Sequence, residues 1–319
     1  MLIIRPGIIV TYVSWRNIFW LQVALAGVAT LAVILLIPET IHRARKEDLV
    51  GLTKKQQARK LWSWANPVRV IWLFRYPNLA IVGVASSALV WNMYSLLTPI
   101  RYVLNPRFEL TTPLQSGLFY IAPGCGYLTG TFFGGRWADH VVKKWIRKRG
   151  GQRVPEDRLR SCLVALGVVI PACMLLYGWS IEKEVGGIPL PVIVMYVQGV
   201  AQLFCFPSLN TYCLVSRERS SDSKWDSMFR ASMNILLTIS QDVMKKQSSE
   251  VVAGNYVIRY LFAAGGSAAC LPVIEAIGVG WFSTISALFL VLAALGTWAT
   301  SIWGHEWQES MEKRWPSEV

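Results

Sequence analysis

GGRWADHVVKKWIRKRGG, Gly134 to Gly151, lies between two long apolar stretches and sets six Lys or Arg against one carboxylate, Asp139. It reads as a Gly-x-x-x-Asp turn, Gly135 to Asp139, followed by a burst of positive charge. A basic connection between two segments of membrane length predicts a bilayer-spanning protein and marks which side the connection faces.

Composition agrees. Of 319 residues, 53% are hydrophobic and only 16% charged, with a mean hydropathy of +0.39. A soluble domain carries about 25% charged residues. Ile18 to Ile37 runs twenty residues without a charge, enough to cross a hydrocarbon core of about 30 Å as a helix. The net charge of +13 raises nucleic acid as a partner. Basic loops on a membrane protein account for it better, because bases would have to be reached past apolar helices. The six cysteines, Cys125, Cys162, Cys173, Cys205, Cys213 and Cys270, lie in or beside apolar runs and form no C-x-x-C pair. They read as small buried hydrophobes with free thiols. The N-terminal MLIIRPGIIVTYVSWR makes a poor signal peptide.

Hydropathy predicts an all-α integral membrane protein with seven transmembrane helices, near 17–37, 79–100, 115–134, 161–180, 189–213, 253–276 and 281–303. Residues 1–40 hold the first span, 41–78 form a basic linker, 79–304 a six-helix bundle and 305–319 a tail. Lys and Arg number 26 on the linker, 135–160, 214–252 and tail side, against five on the other. The rich side is then cytoplasmic, with the N-terminus outside and the C-terminus inside. Within the linker, Leu61, Trp62, Trp64, Val68, Ile71 and Trp72 interleave with Lys60, Arg69 and Arg75. That pattern suits either a helix on the membrane surface or an ordinary loop.

Nothing points to an enzyme, a cofactor or a metal. His42, His140 and His305 lack ligand-spaced partners, and no P-loop, Gly-x-Ser-x-Gly or paired-carboxylate motif occurs. Polar residues inside spans are more informative, because lipid penalises them. Asn92, Tyr94, Ser95 and Thr98 lie in the second span, Gln198, Gln202 and Asn210 in the fifth, and Asn255, Arg259 and Tyr260 open the sixth. Gln198 with Gln202, and Asn255 with Arg259, share helix faces at a spacing of four. Such faces line a water-filled cavity or hydrogen-bond helices together. Arg259, a permanent cation, calls for a cavity or a cytoplasmic mouth. Gly126, Gly130 and Gly134 make a face that another helix can approach closely. Pro123, Pro171 and Pro207 are expected to kink their spans.

WRNIFWLQVALAG (15–27), IPETIH (37–42), RYPNLAIVGVASSALVWNMYSLLTPI (75–100), GLFYIAPGCGYLTGTFFGGRWADH (117–140), GGIPLPVIVMYVQGVAQLFCFPSLNTY (186–212) and EVVAGNYVIRYLFAAGGSAACLP (250–272) resemble the fungal drug:proton antiporters of the major facilitator superfamily. The resemblance implies a fold of twelve spans in two six-helix halves, with a central cavity of alternating access. By it, the seven spans are the sixth to the twelfth, and five are missing along with half of the cavity wall. It implies a small-molecule substrate and protons as partners, in the bilayer of the plasma membrane. The polar residues within spans, Asn92, Tyr94, Gln198, Gln202, Asn210, Asn255 and Arg259, are the candidates for lining that cavity. The resemblance also makes Gly135, Asp139, Lys143 and Lys144 part of the family's Gly-x-x-x-Asp-basic-x-Gly-basic-basic motif, a latch between helices on the cytoplasmic face. Here His140 takes the first basic position, and the rest is displaced into KKWIRKRGG. The latch's partner is expected partly in the missing half.

Residues 215–241 match nothing in that family, and removing them rejoins NTYCL to DVMKKQSSEVVAGNY. A retained intron explains them; so does a regulatory loop with phosphorylatable serines. Three functions remain open: a transporter incomplete on its own, a seven-helix receptor-like protein, and a non-transporting remnant.

Overall fold

The computed structural model describes residues 16–36, 53, 56, 76–109, 113–151, 154, 156–221 and 245–314. All of their regular structure is helical. In chain order the helices are α1 (Arg16–Leu36), α2 (Pro77–Leu97), α3 (Leu104–Arg107), α4 (Pro113–Phe119), α5 (Ile121–Lys148), α6 (Glu156–Val164), α7 (Ile170–Glu182), α8 (Pro189–Ser221), α9 (Lys245–Ile277) and α10 (Val279–Arg314). The linker reading of a surface helix around Trp62 to Trp72 lies outside the described residues.

Among the described residues, six segments are long and apolar enough to cross a membrane: Arg16–Leu36, Pro77–Ile100, Glu156–Glu182, Pro189–Cys213, Val252–Ile277 and Val279–Gly304. The expected span at 115–134 is built differently. It breaks at Tyr120 and continues through Lys148, so its glycines, threonines and basic end dilute the hydropathy. The Gly135 to Asp139 turn is also corrected. Those residues are helical, and the chain turns only at Arg149 to Gly151. Gly150 and Gly151 have φ of 68° and 103° there, a left-handed region cheap only for glycine. Nothing in RWADHVVKKWIRK breaks a helix, so α5 propagates until the glycine pair.

The bundle is built on two close pairs, α5 against α8 and α7 against α10, with α2 packed between α9 and α10. Its core includes Val82, Leu89, Leu96, Leu166, Ile170, Met174, Met195, Leu209 and Leu290. The predicted glycine face is the α5–α8 contact. A Cβ on Gly130 would lie 2.7 Å from Leu203 Cβ and 2.9 Å from Val200 O, and one on Gly134 2.9 Å from Leu203 O. From the other side, a Cβ on Gly199 would lie 2.8 Å from Pro123 O. In a bilayer, where apolar burial drives little association, such backbone approach supplies the packing energy.

Two charged side chains tie helix ends. Glu182 Oε2 accepts hydrogen bonds from the Val279 and Gly280 N–H groups at 3.0 and 3.3 Å. The carboxylate so caps the positive N-terminus of α10. Arg107 Nη1 donates to Ser180 O at 3.0 Å and to Ile181 O, capping the carbonyl end of α7.

The prolines divide. Pro207 and the unanticipated Pro272 sit inside helices, α8 and α9. Pro123 lies in the first turn of α5, where no hydrogen bond is lost. Pro171 follows a π-helical turn, Ala165–Val169, a widening that accommodates a residue with no N–H. Cys125 is exposed and so departs from the expected burial; the other five thiols are buried, and all six are free. α8 stays helical through Ser221, seven residues into the stretch read as an insertion, while 222–244 lie outside the described residues.

Candidate functional site

The α2–α8 interface gathers three of the polar residues named above, Asn92, Gln198 and Gln202. Gln198 Nε2 donates to Asn92 Oδ1. Gln202 Nε2 donates to Leu89 O at 3.2 Å, and the Tyr127 hydroxyl of α5 donates to Gln202 Oε1 at 3.0 Å. The spacing of four puts both glutamines on the α8 face that meets α2. Asn92, Gln198 and Gln202 are buried. Their capacity is not filled: Asn92 Nδ2 and Gln198 Oε1 have no hydrogen-bond partner among the described residues. Tyr94, half-buried and two residues beyond Asn92, makes no hydrogen bond to this group.

A second group joins α8 to α9. Asn255 Nδ2 donates to Asn210 Oδ1 at 3.1 Å, leaving Asn255 Oδ1 unfilled. One turn further, the Arg259 guanidinium stacks 4.6 Å from the centroid of the Phe206 ring and 4.9 Å from that of Tyr256. Its Nε and Nη1 are buried without a hydrogen-bond partner among the described residues. The two rings offset part of the cost of holding a cation away from water, through their negative faces. They leave its directional N–H donors free for an incoming acceptor. Tyr127, Phe206 and Tyr256 were not singled out from sequence. Tyr127 adjoins the glycine face, where close helix approach brings a hydroxyl into reach of α8.

At the other end of α5, Asp139 Oδ1 meets Arg158 Nη2 at 3.2 Å. The carboxylate of the motif thus meets an Arg on α6, within the same bundle. Asp139 is 60% exposed, which places the pair among solvent-screened ion pairs. Asp139→Asn is expected to cost no more than about 1 kcal/mol of stability, read as a melting-temperature change of the purified protein. A stronger pair lies beside it and was missed. Arg149 Nη1 donates to Asp157 Oδ2 at 2.8 Å, and Arg149 Nη2 lies 2.7 Å from Asp157 Oδ1. Gly135 has open space around it. Lys143 and Lys144 take no part in either pair; they line a cleft with His140, Arg147 and Lys148.

The family model described as Major Facilitator Superfamily matches residues 4–224. An MFS transporter, cpaT, of Aspergillus oryzae is 23% identical over 85% of this chain and 52% of its own length. Quinidine resistance protein 3 of Saccharomyces cerevisiae is 23% identical over 74% of this chain and 31% of its own. The efflux pump radE of Floropilus chiversii is 25% identical over 87% of this chain and 49% of its own. The chain spans about half the length of several of the curated relatives it matches. No solved structure matches it.

Proposed function

The chain belongs to the major facilitator superfamily, and we propose that it forms the α1 to α10 portion of a proton-coupled exporter of drugs or small organic solutes in the plasma membrane, its N-terminus outside and C-terminus cytoplasmic. The seven expected spans correspond to the sixth to twelfth of a two-half transporter. Asn92, Tyr94, Gln198, Gln202, Asn210, Asn255 and Arg259 contribute one wall of its cavity. Relatives named as an efflux pump and a resistance protein support export as the direction.

The observation that carries the reading is Arg259. A stacked cation with two buried N–H donors that have no partner among the described residues is poorly explained as packing, since burying it costs energy that rings alone do not return. It is well explained as one side of a cavity whose facing groups come from a substrate or from another half. α1 fits the same arrangement. Its spanning window has no buried residue, as expected of a helix whose packing partners belong to a second bundle. Asp139 with Arg158, flanked by Lys143 and Lys144, then acts as a cytoplasmic latch.

The test is efflux down a pH gradient from cells expressing this chain with a homologous N-terminal half, against cells expressing it alone. Proton-dependent efflux is expected from the pair. Arg259→Gln should lower it at least about tenfold, as for loss of a charge-assisted contact, and Arg259→Lys should restore part of it. Unchanged efflux in Arg259→Gln would remove the residue from the cavity. No efflux from the pair would favour a non-transporting remnant.

A further inference from the structure

On α5, Leu128, Phe132, Phe133 and Trp137 are exposed large apolar side chains, as a lipid-facing surface requires. Continuing along the helix, the exposure passes without interruption to charge. Trp137 stacks on His140, ring centroids 6.5 Å apart, and beyond it His140, Lys143, Lys144, Arg147 and Lys148 line a single cleft. Phe133, Trp137, His140, Lys144 and Lys148 recur at three and four residues, so they belong to one face of the helix.

Trp at the apolar-to-polar transition marks the headgroup level. At 1.5 Å per residue, Lys144 lies about 10 Å and Lys148 about 16 Å beyond it along the axis. The headgroup layer is about 5–8 Å deep, and long lysine and arginine side chains reach back toward it. None of the residues lining the cleft is acidic. Of the carboxylates nearest in sequence, Asp139 is paired with Arg158 and Asp157 with Arg149, while Glu156 is buried on α6 and does not line the cleft. Like charges spaced three and four apart on a helix repel one another, so this cleft is left with an excess of cation donors that an anion would relieve.

We infer that the His140, Lys143, Lys144, Arg147 and Lys148 cleft of α5 binds the phosphate-bearing headgroup of an anionic membrane phospholipid. The acyl chains lie along Leu128, Phe132, Phe133 and Trp137 on the same helix. The apolar stripe faces acyl chains in either case; what favours the lipid is that the donors continue the same helix face beyond Trp137, where the membrane surface concentrates anionic headgroups beside basic side chains and a soluble phosphate is not so held. The site requires membrane insertion only, not transport, and its failure would leave the exporter reading untouched.

The experiment titrates the full chain, purified in neutral detergent, with mixed micelles carrying phosphatidylinositol 4-phosphate, with micelles carrying phosphatidylcholine, and with free inositol bisphosphate. Affinity is read from the shift in melting temperature. The phosphoinositide is expected to bind at least about tenfold more tightly than either comparator, each nearby Lys or Arg adding to the attraction. Lys143→Gln, Lys144→Gln, Arg147→Gln and Lys148→Gln together should abolish that preference. Their side chains are exposed, and the comparison among ligands on the unmodified chain stands without the variant. The control removes equal charge elsewhere: Lys54→Gln, Lys55→Gln, Arg59→Gln and Lys60→Gln should keep the preference. Equal binding of phosphatidylcholine, equal loss in the control, or headgroup alone binding as tightly as lipid would each overturn the assignment.

Discussion

Gly130→Leu should strongly destabilise the folded bundle, although leucine is the better helix former by roughly 0.8 kcal/mol. The expected sign comes from packing. A Cβ at position 130 would meet Leu203 Cβ at 2.7 Å and Val200 O at 2.9 Å, and the second of these is backbone. A side chain can rotate away; a carbonyl in the middle of α8 moves only if the helix does. Overpacking a well-filled interior costs about 1–3 kcal/mol and occasionally more. Here leucine must separate two helices that also approach at Gly134 and Gly199, so the upper end is expected. Gly135→Ala is the matched control, because nothing lies within 4 Å of its added methyl. Monodisperse yield in detergent and melting temperature measure both. A Gly130→Leu protein that melts like the Gly135→Ala protein would show that the α5–α8 contact is not this close.

The second large effect concerns Arg149 and Asp157, and it is asymmetric. The Asp157 side chain is fully buried, whereas that of Arg149 remains 27% exposed. Arg149→Gln strands a carboxylate away from water, a change that costs about 3–5 kcal/mol when a buried pair is broken. Asp157→Asn strands a guanidinium that still reaches solvent and stacks near the Trp145 ring at 5.6 Å, so it should cost less. The double replacement should be more stable than Arg149→Gln alone, since it removes the uncompensated charge. Thermal unfolding of the three proteins decides the matter. Equal destabilisation by both single replacements would mean that the carboxylate is not sealed from water.

The readings that came through from residues to helices share a physical basis: they depend on local composition. Twenty apolar residues must be helical in lipid, because every backbone group needs a partner and none is offered outside the chain. A face of glycines every fourth residue must meet another backbone, because no side chain there can do the packing. What failed to carry over depended on context. Gly135 and Asp139 look like turn residues when read as a pair, yet no proline or glycine pair follows until Gly150, and a helix once begun continues. Cys125 belongs to an apolar run, but the run's periodicity sends it outward on α5.

The candidate cavity residues were legible as polar exceptions within spans, for the cost of placing them in lipid is a property of the residue alone. Their partners were not. Gln198 meets Asn92 across more than a hundred residues of chain, and Tyr127, Phe206 and Tyr256 acquire meaning only beside Gln202 and Arg259. The amino-acid sequence by itself determined a helical membrane protein with a basic side and a glycine-lined helix, because hydropathy, charge and side-chain size act locally. The tertiary structure alone decided that Asp139 pairs with Arg158, that Arg149 seals Asp157, and that Arg259 stacks between two rings. Those outcomes depend on which helices touch and at what distance, and hydrogen bonds and ion pairs are made or lost within an ångström.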